Sequence, residues 1–334
     1  MDHVIIIAEA GSNHNGKLKL AYKLVDVAKR CGADFIKFQT SIPALHISKI
    51  AKKAHYQIKN TKKNETQLEM AKKISLSYIQ FRKIKKYCQI KKIEFLSTPF
   101  DLKSIDFLNS LNMKYFKIPS GEITNLPYLT KVAKLKKKLI LSTGMSNMKE
   151  IGEALKILIS NGASKKNIIV LQCNTEYPTP FRDANLKAML SIRKKYNVRV
   201  GYSDHTKGIE ASLGATALGA CLIEKHITLN TKLPGPDHKA SIVEKELKQM
   251  IEGIRKISES LGDGVKKASP SEIKNINIAR NSIVAAKNIY KGEKFTSNNL
   301  TMKRPGNGIS PMKLPMVIGK VAKKNFLKDE LIKL

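Results

Sequence analysis

The chain of 334 residues has no tryptophan, and its ten phenylalanines and ten tyrosines bring the aromatic share to only 6%. Proteins that hold single-stranded nucleic acid stack its bases on interleaved aromatics, so this scarcity counts against that class. Acidic side chains are also few, 27 against 61 basic ones, leaving a formal net charge of +34. The excess is lysine, since only eight of the basic residues are arginine. The lysines are dispersed in short groups (Lys52-Lys53, Lys62-Lys63, Lys136 to Lys138, Lys194-Lys195, Lys323-Lys324), and no helix-turn-helix or zinc-finger spacing accompanies them. The expectation is a solvated, lysine-biased surface and no nucleic-acid partner, with a positive field that draws in an anionic small substrate.

Other absences narrow the field further. No apolar run approaches a membrane span, so no membrane partner is expected. Met1-Asp2-His3 opens directly onto a strand-like run and leaves no room for a signal peptide, which points to the cytoplasm. The four cysteines (Cys31, Cys88, Cys173, Cys221) form no CxxC pair and lie in or beside apolar runs, as reduced and mostly buried thiols do. Neither GxGxxG after the first strand nor a P-loop GxxxxGK[ST] is found, which removes support from nucleotide-binding folds.

What is present is a repeated strand–helix pattern whose strands all end in polar, reactive side chains. In order these ends carry Glu9, Lys37 and Gln39, Thr98, Lys117 with Ser120 and Glu122, Ser142, Thr175 with Tyr177, Ser203 with His205, and Glu224 with His226. Eight such units over roughly the first 260 residues match the size of a (β/α)8 TIM barrel, an α/β fold in which all strand C-termini meet at one mouth. An open doubly wound sheet would not gather all eight sets. The barrel is expected over residues 1–262, a linker over 263–277, and a small β-rich unit over 278–334. That last unit is read with a strand at Ser282 to Ala285, a short β run at Val317-Ile318, and a Pro/Gly-rich loop from Arg304 to Ile309. The Lys- and Asn-rich connection Thr40 to Ser75 is long for such a pattern and reads as a lid, with its histidines His46 and His55 at the surface.

Gly201-Tyr202-Ser203-Asp204-His205 and Ile223-Glu224-Lys225-His226 close the last two strands. Parallel strands joined by the helix between them set His205 and His226 side by side, with Ser203, Asp204 and Glu224 on the same rim. Paired neutral imidazoles in that setting suit a divalent metal. Lys37 and Lys117 with Thr98, Ser120, Ser142 and Ser203 make a cationic, hydroxyl-rich pocket fit for a phosphate and a carboxylate. Either lysine could instead form a Schiff base or a plain salt bridge; the second lysine and the hydroxyls favour anion binding. Glu9, Glu122 and Glu224 supply carboxylates for acid–base work. Together these residues point to metal-assisted addition of an anionic phosphate compound to a carbonyl.

Several motifs then carry a resemblance across the whole chain. They are Ile7 to Gly16 (IAEAGSNHNG), Phe35 to Thr40 (FIKFQT), Leu96 to Phe100 (LSTPF), Lys117 to Glu122 (KIPSGE), Leu141 to Met145 (LSTGM), Gly201 to His205 (GYSDH) and Gly235 to His238 (GPDH). In that order they resemble bacterial N-acetylneuraminate (sialic acid) synthases, and Lys303 to Ile309 resembles the antifreeze-like (SAF) domain that ends them. The resemblance implies a phosphoenolpyruvate-dependent transferase that condenses phosphoenolpyruvate with N-acetylmannosamine and water to give N-acetylneuraminate and phosphate. It implies Mn2+ (or Mg2+ or Co2+) on His205 and His226, and phosphoenolpyruvate held by Lys37, Thr98, Lys117, Ser120, Ser142 and Ser203. Gln39, Tyr177 and Asp237 would meet the sugar, and Arg304 would reach it from the partner subunit of a domain-swapped homodimer. Glu122 would handle the proton of the added water, and Glu9 would position groups around the metal. One departure bears on the sugar. Asn174-Thr175-Glu176-Tyr177-Pro178 replaces the Asn-Ile-Tyr-Pro of some members. That variant is similar to relatives making N,N'-diacetyllegionaminate from 2,4-diacetamido-2,4,6-trideoxymannose, so this acceptor is the alternative.

Overall fold

In a computed structural model of the chain, which describes residues 3–61 and 64–334, the apolar runs become eight parallel strands. Met1 and Asp2 of the opening run and the Lys62-Lys63 pair lie outside the described residues. In chain order the first half runs β1 (Ile5–Gly11), α1 (Leu18–Cys31), β2 (Phe35–Thr40), α2 (His55–Thr61), α3 (Gln67–Ile74), α4 (Tyr78–Lys91), β3 (Glu94–Pro99), α5 (Leu102–Ser110) and β4 (Tyr115–Ile118). It continues α6 (Leu126–Lys134), β5 (Lys138–Ser142), α7 (Met148–Ser160), β6 (Ile168–Cys173), α8 (Ala188–Tyr196), β7 (Arg199–Asp204), α9 (Glu210–Ala217), β8 (Leu222–His226) and α10 (Glu244–Ser260). The ladder order is β3-β2-β1-β8-β7-β6-β5-β4, and β3 lies beside β4, so the sheet curls into a TIM-like barrel.

The helices stop and start where local chemistry says they should. Ser77 and Asn147 cap α4 and α7 with reciprocal bonds to Gln80 and Glu150, and Asp101 caps α5. Gly32 ends α1 at φ 85, a left-handed position open to glycine. Outward strand residues such as Ile6, Ile36, Phe38, Phe116, Val200 and Ile223 pack against these helices and are fully or almost fully buried. Inward residues of the same strands fill the barrel, as when Phe35 meets Tyr115 edge-on at 5.6 Å.

The strands run further than their apolar cores suggest. β7 extends to Asp204 rather than stopping at Val200, and β3 extends to Pro99. The ladder uses backbone groups alone, so polar side chains do not end it. This has a consequence for Asp204, expected on the rim with Ser203. Successive side chains alternate between faces, and Asp204 points away from the mouth to pair with Lys225 at 2.9 Å, both fully buried.

The chain divides into two units, Met1–Asp263 and Gly264–Leu334. The stretch expected as a linker, 263–277, is helical in part. Helix α11 (Pro270–Ala279) starts there with proline in its first turn and a Ser269–Glu272 capping box. The second unit then forms an antiparallel pair, β9 (Ser282–Ala285) with β10 (Leu300–Lys303), around Ile283, Ile289, Phe295, Val317, Phe326 and Ile332. Val317, expected in a β run, closes a short helix α12 (Leu314–Val317), with Pro315 in its first turn. Among the described residues no helix is long and apolar enough to cross a membrane.

Candidate active site

Register brings the inward polar residues together. Glu9 stands opposite Lys37 on one side and His226 on the other, Gln39 opposite Thr98, and Ser203 opposite Glu224. The mouth therefore holds a continuous cluster. Lys117 Nζ donates to both oxygens of Glu224 at 2.7 and 2.8 Å, and Ser203 Oγ donates to the same carboxylate at 2.9 Å. Lys37 Nζ lies 2.9 Å from Glu9, 3.1 Å from Thr98 Oγ1 and 3.6 Å from Glu224. Gln39 Nε2 reaches Glu9 at 3.4 Å. These groups, with Ser120, Ser142, Tyr177, His205 and His226, line one cavity of about 180 Å³. Two glycines let the backbone come this close. A Cβ on Gly144 would sit 2.6 Å from Thr175 Cγ2 and 2.8 Å from Ser120 Oγ, the hydroxyl to which the Gly144 N–H donates. Gly11, at φ 51, lies against the His226 ring.

The pocket expected to be cationic is charge-balanced: two lysines meet two carboxylates. Burial alone would raise Glu224, but Lys117 and Lys37 outweigh it and hold the carboxyl well below its usual range. Burial dominates at Glu9 and raises it to about 7, with Lys37 opposing. Burial lowers Lys117, offset by Glu224, while at Lys37 Glu224 and Glu9 overcome the burial cost and raise it. In this structure the lysines are salt-bridge partners of glutamates.

His205 and His226 stand with ring centroids 5.4 Å apart, and Tyr177 stacks on His205 at 4.1 Å. His205 Nδ1 donates to the carbonyl of Asn174, so its Nε2 is the bare lone pair, 3.4 Å from Ser203 Oγ. A backbone carbonyl on one ring nitrogen is how metal-binding histidines are oriented. Burial lowers His205 to about 4 and pushes His226 well below its ordinary value, so both rings are neutral. His226 Nδ1 is buried without a hydrogen-bond partner among the described residues. Two neutral imidazoles, an oriented lone pair and an adjacent carboxylate in Glu9 fit a divalent cation, although no group of three or more His, Cys, Asp or Glu ligands converges among the described residues.

A second cavity of about 360 Å³ shares Gln39, Phe100, Tyr177 and His226 with the first and opens beneath the lid. The connection Thr40 to Ser75 supplies its cover through α2 and α3, and Tyr56 of α2 packs on Tyr177 at 5.0 Å. Asp237 lines this cavity, accepts a bond from Ser12 Oγ at 3.0 Å, and is raised to about 6 by burial. His46 and His55 are exposed at the surface, His46 also touching the cavity. Of the expected site residues, Glu122 is not brought into the cluster. The chain leaves β4 through Pro119 into a single 3-10 turn, which carries the Glu122 carboxylate to Asn125 Nδ2 at 2.6 Å. Arg304 belongs to the second unit and is exposed there. The sequence reading passed over Cys173, whose thiol lies 3.3 Å from Ser120 Oγ, and His14 and Tyr56 in the lid cavity. The offset between successive strand ends would have found Cys173; nothing in the spacing flagged Tyr56.

Known proteins resemble this chain along its whole length. Residues 24–266 match the NeuB family and residues 280–334 the SAF domain. The chain is 56% identical over 333 residues, covering 100% of both chains, to N,N'-diacetyllegionaminic acid synthase of Campylobacter jejuni. It is 43% identical over 317 residues, 94% of this chain and 89% of the relative, to the enzyme of the same name from Legionella pneumophila. The crystal structure of N-acetylneuraminic acid (sialic acid) synthetase from Leptospira borgpetersenii in complex with citrate superposes with a TM-score of 0.72 at 34% identity, covering 82% of this chain and 90% of that one.

Proposed function

Since the chain belongs to the NeuB family and ends in a SAF domain, we propose that it is a phosphoenolpyruvate-dependent nonulosonate synthase whose acceptor is 2,4-diacetamido-2,4,6-trideoxymannose and whose product is N,N'-diacetyllegionaminate. The observation that carries the choice of acceptor is the 56% identity, over the full length of both chains, to a legionaminic acid synthase. N-acetylmannosamine, the acceptor expected first from the sequence, becomes the second reading, supported by the 34% identical sialic acid synthetase.

In the proposed reaction phosphoenolpyruvate occupies the smaller cavity. Lys37 and Lys117 exchange part of their pairing with glutamate for the substrate's phosphate and carboxylate, and Thr98, Ser120, Ser142 and Ser203 add hydrogen bonds. A divalent cation, Mn2+ in the first instance, would be held by His205 and His226, and when bound it polarises the aldehyde oxygen. C3 of phosphoenolpyruvate bonds to the aldehyde carbon as both double bonds open, and the former aldehyde oxygen takes up a proton. Water adds at C2, and phosphate departs with cleavage of the C2–O bond, carrying the proton lost as the C2 ketone forms. Glu9, which lines the cavity where Glu122 does not, takes the proton of that water. Glu224 stays ionised and keeps Lys117 and Ser203 aimed inward. Gln39, Tyr177 and Asp237 hold the sugar, and Arg304 approaches it from the partner subunit of a homodimer.

The experiment is phosphate release from phosphoenolpyruvate with each acceptor, before and after EDTA and with Mn2+ restored. Preference for the diacetamido sugar, lost on chelation and regained with Mn2+, is the expected result. Preference for N-acetylmannosamine reverses the choice of acceptor, and EDTA-resistant turnover with borohydride trapping at Lys37 or Lys117 replaces the metal reading with a Schiff base. Mn2+ is also expected to raise the melting temperature, by the equivalent of about 2.7 kcal/mol at a hundredfold excess over Kd, and His226→Asn to abolish that rise.

A further inference from the structure

The lid cavity is walled in two chemically different ways. Ile47, Met70, Ala71 and Ile74 give it an apolar side from the lid. Across from them in the chain, the loop after β1 contributes His14, a ring only 2% exposed. The Gly16 N–H donates to His14 Nδ1 at 3.1 Å, so Nδ1 carries no proton. Burial keeps this ring neutral by lowering it to about 4. Its proton therefore sits on Nε2. A buried ring thus offers one donor to a cavity whose lid side sets a patch of carbon and sulfur beside the polar Tyr56, Gln57 and Gln67.

The two candidate acceptors differ in what they would present there. N-acetylmannosamine carries hydroxyls at C4 and C6, and a hydroxyl seated against the patch of Ile47, Met70 and Ile74 loses water without a partner there to replace it. The diacetamido sugar carries an acetamido group at C4 and a methyl group at C6. We infer that the lid cavity is the subsite that reads these two substituents: His14 Nε2–H donates to the C4 amide carbonyl, and the methyl groups lie against Met70 and Ile47. Its position fits, because it shares Gln39, Tyr177 and His226 with the cavity that takes phosphoenolpyruvate, so a sugar whose aldehyde lies at the histidines extends into it. The inference rests on the diacetamido acceptor proposed above.

The test is kcat/KM for both acceptors in the wild-type enzyme and in Met70→Leu, Met70→Asn and His14→Phe, with melting temperature and the KM for phosphoenolpyruvate followed in each. M70L should keep the preference for the diacetamido sugar. M70N and H14F should each reduce the ratio of the two kcat/KM values about tenfold or more, the scale of one lost pocket contact. In wild type, 2-acetamido-2,6-dideoxymannose, which lacks only the C4 acetamido group, should lose at least as much, a readout that needs no variant to fold. If the wild-type enzyme prefers the diacetamido sugar yet both variants lower the two acceptors equally, and the deoxy analogue is used as well as the full sugar, the subsite is wrong and the proposed function stands. If wild type prefers N-acetylmannosamine, the proposed function fails and the subsite with it.

Discussion

Two buried ion pairs use neighbouring residues of β8, Glu224 and Lys225, and behave as opposites. Facing the mouth, Glu224 of β8 holds Lys117 at 2.7 Å; facing the helices, Asp204 of β7 holds Lys225 at 2.9 Å. The outer pair is closed. Asp204 accepts from Thr206 N and Oγ1 at 2.8 Å and from Ser212 Oγ at 2.7 Å, while Lys225 also donates to the Thr206 carbonyl at 2.6 Å. Every partner is fixed protein, and the pair braces both sides of His205. The inner pair is open, because its lysines border a cavity in which a substrate anion can compete for them. The same residue types in the same depth of burial serve structure where all donors and acceptors are satisfied internally, and chemistry where one face is left to a ligand.

The comparison can be broken from either side. On the inner side, Lys117→Met leaves the Glu224 carboxylate without its nearest cation and removes a charge expected on the substrate. Phosphate release should fall by roughly 10³-fold, the upper scale for losing one preorganised donor. On the outer side, Lys225→Met strands Asp204 where no water reaches it, at a cost of about 3–5 kcal/mol in denaturant unfolding. Adding Asp204→Asn to that variant should recover most of the loss, since a neutral pair carries no uncompensated charge, and failure to recover would show that Asp204 acts through something other than its charge.

Protonation sharpens the contrast on a smaller scale. His14 is lowered to about 4 by burial and by His238 beside it. Between its ordinary value and 4 the folded chain binds fewer protons than the unfolded one, so its contribution is present above that window and is lost as pH falls through it. The slope is about 1.4 kcal/mol per pH unit in mid-window. Asp237, raised to about 6, has the opposite sign, and its contribution is lost as pH rises through 6. The two windows overlap, from 6.5 down to about 4 for His14 and from 3.8 up to about 6 for Asp237, so their slopes oppose each other. Between them His14→Gln should weaken the rise of melting temperature with pH and Asp237→Asn should steepen it. The smallest effect belongs to an exposed pair. Lys149 and Glu153 are 86% and 60% exposed at 4.0 Å, and Lys149→Ala should change stability by no more than about 0.5 kcal/mol.

Much of the site was legible because β-structure keeps side chains in strict alternation. Lys37 and Gln39 on one strand, and Glu224 and His226 on another, share a face by spacing alone. Asp204 was misplaced for the same reason in reverse: it sits beside two site residues in sequence and therefore behind them in space. Glu122 was misplaced because a 3-10 turn begins at Ser120, and no spacing rule carries across a turn. The helix at Pro270 carried a readable start in Ser269-Pro270 and Glu272 but was passed over as linker.

The order of strands and helices, the polar end of each strand and the histidine pair were determined by sequence, because they depend on periodicity and turn chemistry within short stretches. Which cation meets which carboxylate was decided by the tertiary structure. Lys117 and Glu224 are 107 positions apart and meet only because the barrel curls. The charge balance of the mouth and the bare Nε2 of His205 both follow from such long-range neighbours, and a neighbour across a barrel leaves no trace in local spacing.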